Sequence, residues 1–308
     1  MTWTSLLLPR ASETGTRGGR TTRQSRWAPL AAAIKRYDPL VLALRSVRQA
    51  RRFWTILREE RRREVCREHQ MDARGVAIER YLAETRRYRK LQIGAGENVL
   101  PGWLNTDVEP VAEGVIFLDA AEAFPFDDAV FDYMFCEHTI EHVTYKAGLF
   151  MLKEAARVMK PGARIRIATP DAERIAGLLS PVKTQDQEDY VRWSAVESLG
   201  LYSAVPSKLQ ERRPEWALDV KHIRHCFPEP GHDCACFVVN NFFRSYGHLF
   251  LYDEKTLAAA MQEAGFALAT RVEPGRSEDP ELDGIEWHGR VIGDGINRFE
   301  TMVVEARR

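Results

Sequence analysis

The chain has 308 residues, 44% hydrophobic and 29% charged, with 44 Lys and Arg against 44 Asp and Glu. That length allows one large domain with extensions, and the composition is that of a soluble globular protein rather than a fibrous or disordered one. No apolar run approaches the roughly 20 residues of a membrane span, and the five cysteines, an odd number, point to a reducing, cytoplasmic setting rather than a disulfide framework.

The zero net charge conceals a division. Residues 1–90 hold 22 Lys and Arg against 9 Asp and Glu, whereas residues 91–308 hold 22 against 35. A basic arm is joined to an acidic body. The opening "MTWTSLLLPR" has too short an apolar core, and no charged start, for a secretory signal. Residues 1–36 are rich in Arg, Ser, Thr and Gly with Glu13 the only acid, which predicts a disordered tail. Residues 37–88 predict an amphipathic helical extension, with Leu40, Leu44, Val47, Trp54 and Leu57 near one face and dense charge around them. Such a stripe packs on its own domain, and peripheral contact with an anionic membrane is the second reading.

From residue 89 strands and helices alternate, which predicts a parallel sheet with crossover helices. The expected strands are Lys90–Ile93, Trp103–Thr106, Val115–Leu118, Phe131–Cys136 and Arg164–Ala168, then "ALATRVEP" and "FETMVVEA". "KAGLFMLKEAARVMKPG" reads as a helix stopped by Pro161 and Gly162, and "YDEKTLAAAMQEAGF" as another ended by Gly265. Residues 181–245 lose the alternation and read as an insertion. It carries Tyr190, Trp193, Phe227, Phe242 and Phe243, candidates for an apolar acceptor wall or for core.

The first expected strand ends in "LQIGAG". Val99 stands where a dinucleotide fingerprint needs its third Gly, and no Gly-Lys-Ser/Thr follows to make a P-loop. Gly94 and Gly96 nevertheless let backbone approach a ligand closely. Asp107 ends the second expected strand, where a carboxylate can accept both hydroxyls of a ribose. Asp119 follows the third, where it can accept from an adenine amino group. Strand carboxyl ends are where open α/β sheets bind ligands. The three features describe an adenosine-sized site.

"LQIGAG", "NTD", "FLDA", "FPFDDAVFDYMFCEHTIEHV" and "EAARVMKPGARIRIATPD" occur in the order seen in class I S-adenosylmethionine-dependent methyltransferases, which the chain resembles closely over residues 89–175. The resemblance implies an α/β fold: a Rossmann-like, seven-stranded methyltransferase sheet with helices on both faces and the last strand antiparallel. It implies a methyltransferase domain over 89–308, with 181–245 as an acceptor cover. It implies S-adenosyl-L-methionine as cofactor, held by Gln92, Gly94, Gly96, Asp107, Asp119, Ala120, Cys136 and Glu137. Two departures stand out. The family usually has Asp or Glu where Gln92 stands, and "ENVLPG" leaves room for barely one turn of the helix after the Gly loop.

"HTIEH", residues 138–142, matches a zinc-protease string, but it follows a strand at the expected cofactor rim. Some quinone O-methyltransferases resemble this loop and hold a divalent metal there. The reading adopted is that Glu141 and His142 fix the loop by hydrogen bonds. His138 is the candidate for substrate contact and for the catalytic base, with His225 and His248 as alternatives. The cluster His222, His225, Cys226, His232, Cys234 and Cys236 has no C-x₂-C spacing, so no metal is expected in either stretch. The expected function is methyl transfer to a small-molecule or glycan acceptor, with oxygen as the expected target. A nucleic-acid methyltransferase using the basic arm ranks lower, because "CEHTIEH" lacks the Asn/Asp-Pro-Pro-aromatic signature and the body is acidic. A non-catalytic cofactor-binding module is the third reading. The oligomeric state is not legible.

Overall fold

The computed structural model of the protein describes residue 71 and residues 73–202 and 220–308. The basic arm and most of the helical extension lie outside these residues, as do 203–219 of the insertion. The end of the extension is a helix over 73–83 (α1), which buries Ile78 and Tyr81 in the main core. The Tyr81 hydroxyl donates to the Lys90 carbonyl (2.9 Å) and accepts from the Lys90 N–H (2.8 Å), joining this helix to the start of the sheet.

Seven strands form one sheet: β1 (Lys90–Ile93), β2 (Leu104–Asp107), β3 (Val115–Phe117), β4 (Phe131–Glu137), β5 (Met159–Pro170), β6 (Ala267–Val272) and β7 (Thr301–Arg307). Their order is β3-β2-β1-β4-β5-β7-β6. The first five pair in parallel, and β7 runs antiparallel between β5 and β6. The expected sheet and its antiparallel last strand are present. The reversal of order at β1 puts a crevice at the carboxyl ends of β1, β2 and β4, where such sheets take ligands.

The helix α2 (Tyr145–Val158) is capped by Thr144, whose hydroxyl accepts from the Ala147 N–H. It buries Met151, Leu152, Ala155 and Ala156, the stripe that a 3.6-residue period predicts. It stops earlier than expected, because Met159 already pairs with Phe131 as the start of β5. Pro161 and Gly162 lie inside the strand. The second expected helix is closed by Asp253 at its start and by Gly265 (φ 103°) at its end.

No helix follows β1 among the described residues; 94–103 form turns. The sheet face left there, around Trp103 and Phe135, is covered by Leu282 from the strap joining β6 to β7. Arg166 of β5, fully buried, holds that strap. It pairs with Glu286 (Nε to Oε1, 2.8 Å), donates to the carbonyls of Arg276 (3.0 Å) and Glu273 (3.4 Å), and binds Glu305 of β7. The insertion forms a second core with Tyr190, Val191, Ala195, Val238 and Phe242. Among the described residues no helix is long and apolar enough to cross a membrane.

Breaking a buried charge network by removing one partner costs about 3–5 kcal/mol. Arg166→Met keeps volume but strands Glu286 and Glu305, so urea unfolding should show a loss of that size. An unchanged midpoint would mean that the strap is held by its apolar contacts alone.

Candidate functional site

Two cavities open at the carboxyl end of the sheet. The larger, about 440 Å³, is lined by Gly94, Gly96, Asp107, Asp119, Ala120 and Thr139, among others. Gly94 (φ 72°) and Gly96 (φ 51°) take left-handed backbone after β1. Asp107 at the end of β2 accepts from the Gly96 N–H through Oδ2 (2.8 Å), which shapes the loop. Asp119 accepts from the Ala121 N–H (2.9 Å).

Gly94 has a reason the sequence does not reveal. A Cβ there would lie 1.7 Å from Thr139 Oγ1, so its lack of a side chain admits the loop after β4 as well as any ligand. Thr139, Leu118 and Val143 lie inside motifs singled out for other residues, and they line the cavity together with Val108.

Three of the expected cofactor residues do not line this cavity. Gln92 is 1% exposed, and among the described residues neither of its side-chain amide atoms has a hydrogen-bond partner. Cys136 packs into the main core, and burial pushes its thiol up to about 12. The Glu137 carboxylate instead accepts from the backbone N–H groups of Trp287 and His288 (2.9–3.0 Å). Cys136 and Glu137 are consecutive in β4 and serve opposite faces of the sheet, one the main core and the other the strap.

The smaller cavity, about 270 Å³, is walled by Pro170, Trp193, Phe242, Tyr246 and Ile292 and carries His138, Glu141, His142, His248, His288 and Glu300. His138 and His142 line both cavities. Of the expected acceptor wall, Trp193 and Phe242 are here. Tyr190 is buried beneath it and donates to Glu300 Oε2 (2.5 Å), Phe227 packs on Phe237, and Phe243 is exposed. His225 is exposed on the helix Val220–Cys226 and lines neither cavity, whereas His248 lines the smaller.

His138 follows β4 with φ 45°, an uncommon conformation outside glycine. Its Nδ1 lies 3.1 Å from Glu141 Oε1, and its Nε2 3.2 Å from Thr301 Oγ1. Burial opposes charge on His138, but the hydrogen bond and charge of Glu141, with Glu300 and Glu137 behind it, hold its pKa above the ordinary value. Burial likewise works against the Glu141 carboxylate, yet His138 holds its pKa below the usual range. Thr169 donates to the second Glu141 oxygen (3.0 Å), so the expected loop-fixing role of Glu141 is present. For His248 burial is the leading cause of a lowered pKa, and its Nδ1 is tied to the Phe242 carbonyl (2.8 Å).

His138, His288 and Glu300 each bring one ligand-type atom within 4.8 Å of the others, as do Glu141, His142 and His248. The contacts formed within the first set are side chain to side chain, His288 Nε2 to Glu300 Oε1 at 2.8 Å and the His138 and His288 rings 3.9 Å apart. In the other expected cluster, Cys226 Sγ lies 3.7 Å from His222 Nε2, while Cys234 is buried against the Tyr202 hydroxyl.

A family model described as a methyltransferase domain matches residues 63–270. No curated protein matches the chain. Similar solved structures include a SAM-dependent methyltransferase from Archaeoglobus fulgidus, 15% identical over 77% of this chain and 94% of that one, with a TM-score of 0.38. Another, from Mesorhizobium loti, is 13% identical over 76% and 96%, with a TM-score of 0.37. A third, from Aquifex aeolicus, is 12% identical over 74% and 86%, with a TM-score of 0.33.

The His138–Glu141 pair makes a pH prediction. A raised His pKa contributes stability below its ordinary 6.5 that is lost as pH rises through the folded value. A lowered Glu pKa contributes stability above its ordinary 4.5 that is lost as pH falls through the folded value. The melting temperature of the wild type should therefore exceed that of His138→Gln most between these two limits, and the gap should narrow on both sides. A gap independent of pH would show that the pair carries no charge.

Proposed function

The chain belongs to the methyltransferase-domain family, as a class I S-adenosylmethionine-dependent enzyme, and we propose that its reaction is methylation of a hydroxyl on a small-molecule or glycan acceptor. The observation that supports this reading is the meeting of the two cavities at His138 and His142. The larger would hold the nucleoside, with Asp107 on the ribose, Asp119 on the adenine amino group, and Gly94, Gly96 and Ala120 allowing close approach. S-adenosylmethionine, when bound, supplies a methyl group on a sulfonium that a nucleophile displaces in line.

The residues of this chain then have three tasks. Trp193, Phe242, Tyr246 and Ile292 would hold the apolar body of an acceptor and exclude water. The polar end of the same cavity would place its hydroxyl toward the junction, where alignment supplies much of the acceleration. The hydroxyl also has to lose a proton, a task suited to a histidine near neutral pH. His138, the candidate from the sequence, stands at the junction and is proposed to touch the reacting end of the acceptor. On this reading 89–308 is the catalytic domain and 181–245 its acceptor cover.

Asp107→Ala should weaken S-adenosylhomocysteine binding in calorimetry by about 1.5–3 kcal/mol, the scale for hydrogen bonds to a charged group. Full binding by this variant would remove Asp107 from the cofactor site. Screening hydroxylated compounds and glycans with a labelled methyl donor tests the acceptor class. Label found in RNA or DNA and in no small hydroxyl compound would overturn it. On an acceptor so found, His138→Ala should lower kcat by about 10²-fold, as displacement of a reacting group does, with a much smaller change in cofactor affinity.

A further inference from the structure

Both ring nitrogens of His138 are engaged. Nδ1 faces the Glu141 carboxylate, which can only accept when ionised, so Nδ1 carries a hydrogen. Nε2 faces Thr301 Oγ1, whose own hydrogen goes to Asn297 Oδ1 (2.8 Å), so Nε2 donates as well. Were the Asn297 amide turned over, Thr301 would donate to Nε2 instead. In either case no lone pair of His138 is open to an acceptor.

His288 is arranged differently. Its Nε2 is 2.8 Å from Glu300 Oε1, and that carboxylate is itself anchored by the Tyr190 hydroxyl on Oε2. Among the described residues no hydrogen bond reaches Nδ1. Glu137, accepting from the backbone N–H groups of Trp287 and His288, fixes where the residue sits. The ring lines the smaller cavity and lies over His138 at the junction with the larger one. A histidine that lines a cavity, with one nitrogen left unbonded and the other oriented by a buried carboxylate, is the arrangement that proton-accepting histidines share across unrelated folds.

We propose that His288 is the proton acceptor for the methylated hydroxyl, with Glu300 and Tyr190 as positioning residues and His138 a fixed hydrogen-bond donor beside it. This rests on the methyl-transfer reading above and adds a catalytic residue to it. The acceptor O–H bond breaks and its proton passes to His288 Nδ1. The oxygen–methyl bond forms as the sulfonium carbon–sulfur bond breaks, leaving a neutral thioether. The positive charge that began on sulfur ends on the His288 imidazolium, paired with Glu300. The titratable groups that line the same cavity are His138, Glu141, His142, Tyr246, His248 and Glu300.

Nitrogen-15 NMR on histidine-labelled protein saturated with S-adenosylhomocysteine tests the arrangement without an acceptor, the rings being assigned with His288→Ala and His138→Ala. At neutral pH, His288 should carry hydrogen on Nε2 alone, and Glu300→Gln should abolish that preference. His288 with hydrogen on Nδ1, or His138 with an unbonded nitrogen, overturns the proposal. The role itself is read with 4-nitrophenol, an acidic hydroxyl probe, added to the same complex at a pH where the free phenol is mostly protonated. The phenolate absorbance should appear with the wild type and be lost in His288→Ala. A band that survives in His288→Ala, or none with the wild type, overturns it. S-adenosylhomocysteine binding by both proteins keeps the two readings apart, because its absence from the wild type would fail the cofactor site and not the His288 assignment.

Discussion

The site depends on one buried cation. Arg166 sits in the middle of β5 at zero exposure, and among the described residues its side chain bonds to the strap between β6 and β7 and to Glu305 of β7. A guanidinium taken out of water is costly unless its donors are met, and two carboxylates and two carbonyls meet them here. The consequence is positional. The strap is drawn across the sheet face that no helix covers after β1, and Leu282 and Ile285 close over Trp103 and Phe135. Around it Lys90 pairs with Glu281 (2.8 Å), Arg164 with Asp279 (3.2 Å), and Asn98 donates to the Ile285 carbonyl (3.1 Å).

The missing helix and the histidine pair are therefore connected. A chain with a full helix after its Gly loop would have that sheet face occupied, and the strap would have to run elsewhere. Here the strap passes through Trp287 and His288, whose N–H groups meet Glu137 at the tip of β4. The same strand tip carries His138. Two residues 150 positions apart in sequence are thus brought ring to ring at 3.9 Å.

This explains what the sequence could and could not tell. Strands with short apolar cores, the apolar stripe of α2 and the Gly265 stop are local signals, and they are where the structure follows them closely. The two Asp residues at strand ends could be read because the rim of a parallel sheet is a property of strand order. Gln92, Cys136 and Glu137 could not be placed, because their neighbours come from the core or from the strap, far along the chain. His288 carries no motif at all. Its one sequence signal is a histidine 12 residues before Glu300, next to the last strand, and it has no meaning until the strap is folded. The basic arm and the stripe from Leu40 to Leu57 fall outside the described residues.

The junction is held from two sides by unrelated means. On the side of the larger cavity, Gly94 admits Thr139 at a distance no side chain would allow, so the Gly loop and the loop after β4 form one surface. On the other side, Glu300 ties the end of the strap to Tyr190 of the insertion, and Thr301 ties β7 to His138. In-line transfer requires the nucleophile and the leaving sulfur to be fixed relative to one another, and a shift of about 1 Å costs roughly 10²-fold in rate. A site whose two halves rest on separate anchors meets that requirement only if a common element spans them. The segment from Glu137 to His142 is that element. It carries the Glu137 contact to the strap, the Thr139 contact to the Gly loop and the Glu141 contact to β5 through Thr169, so displacing any one of them moves both cavities together.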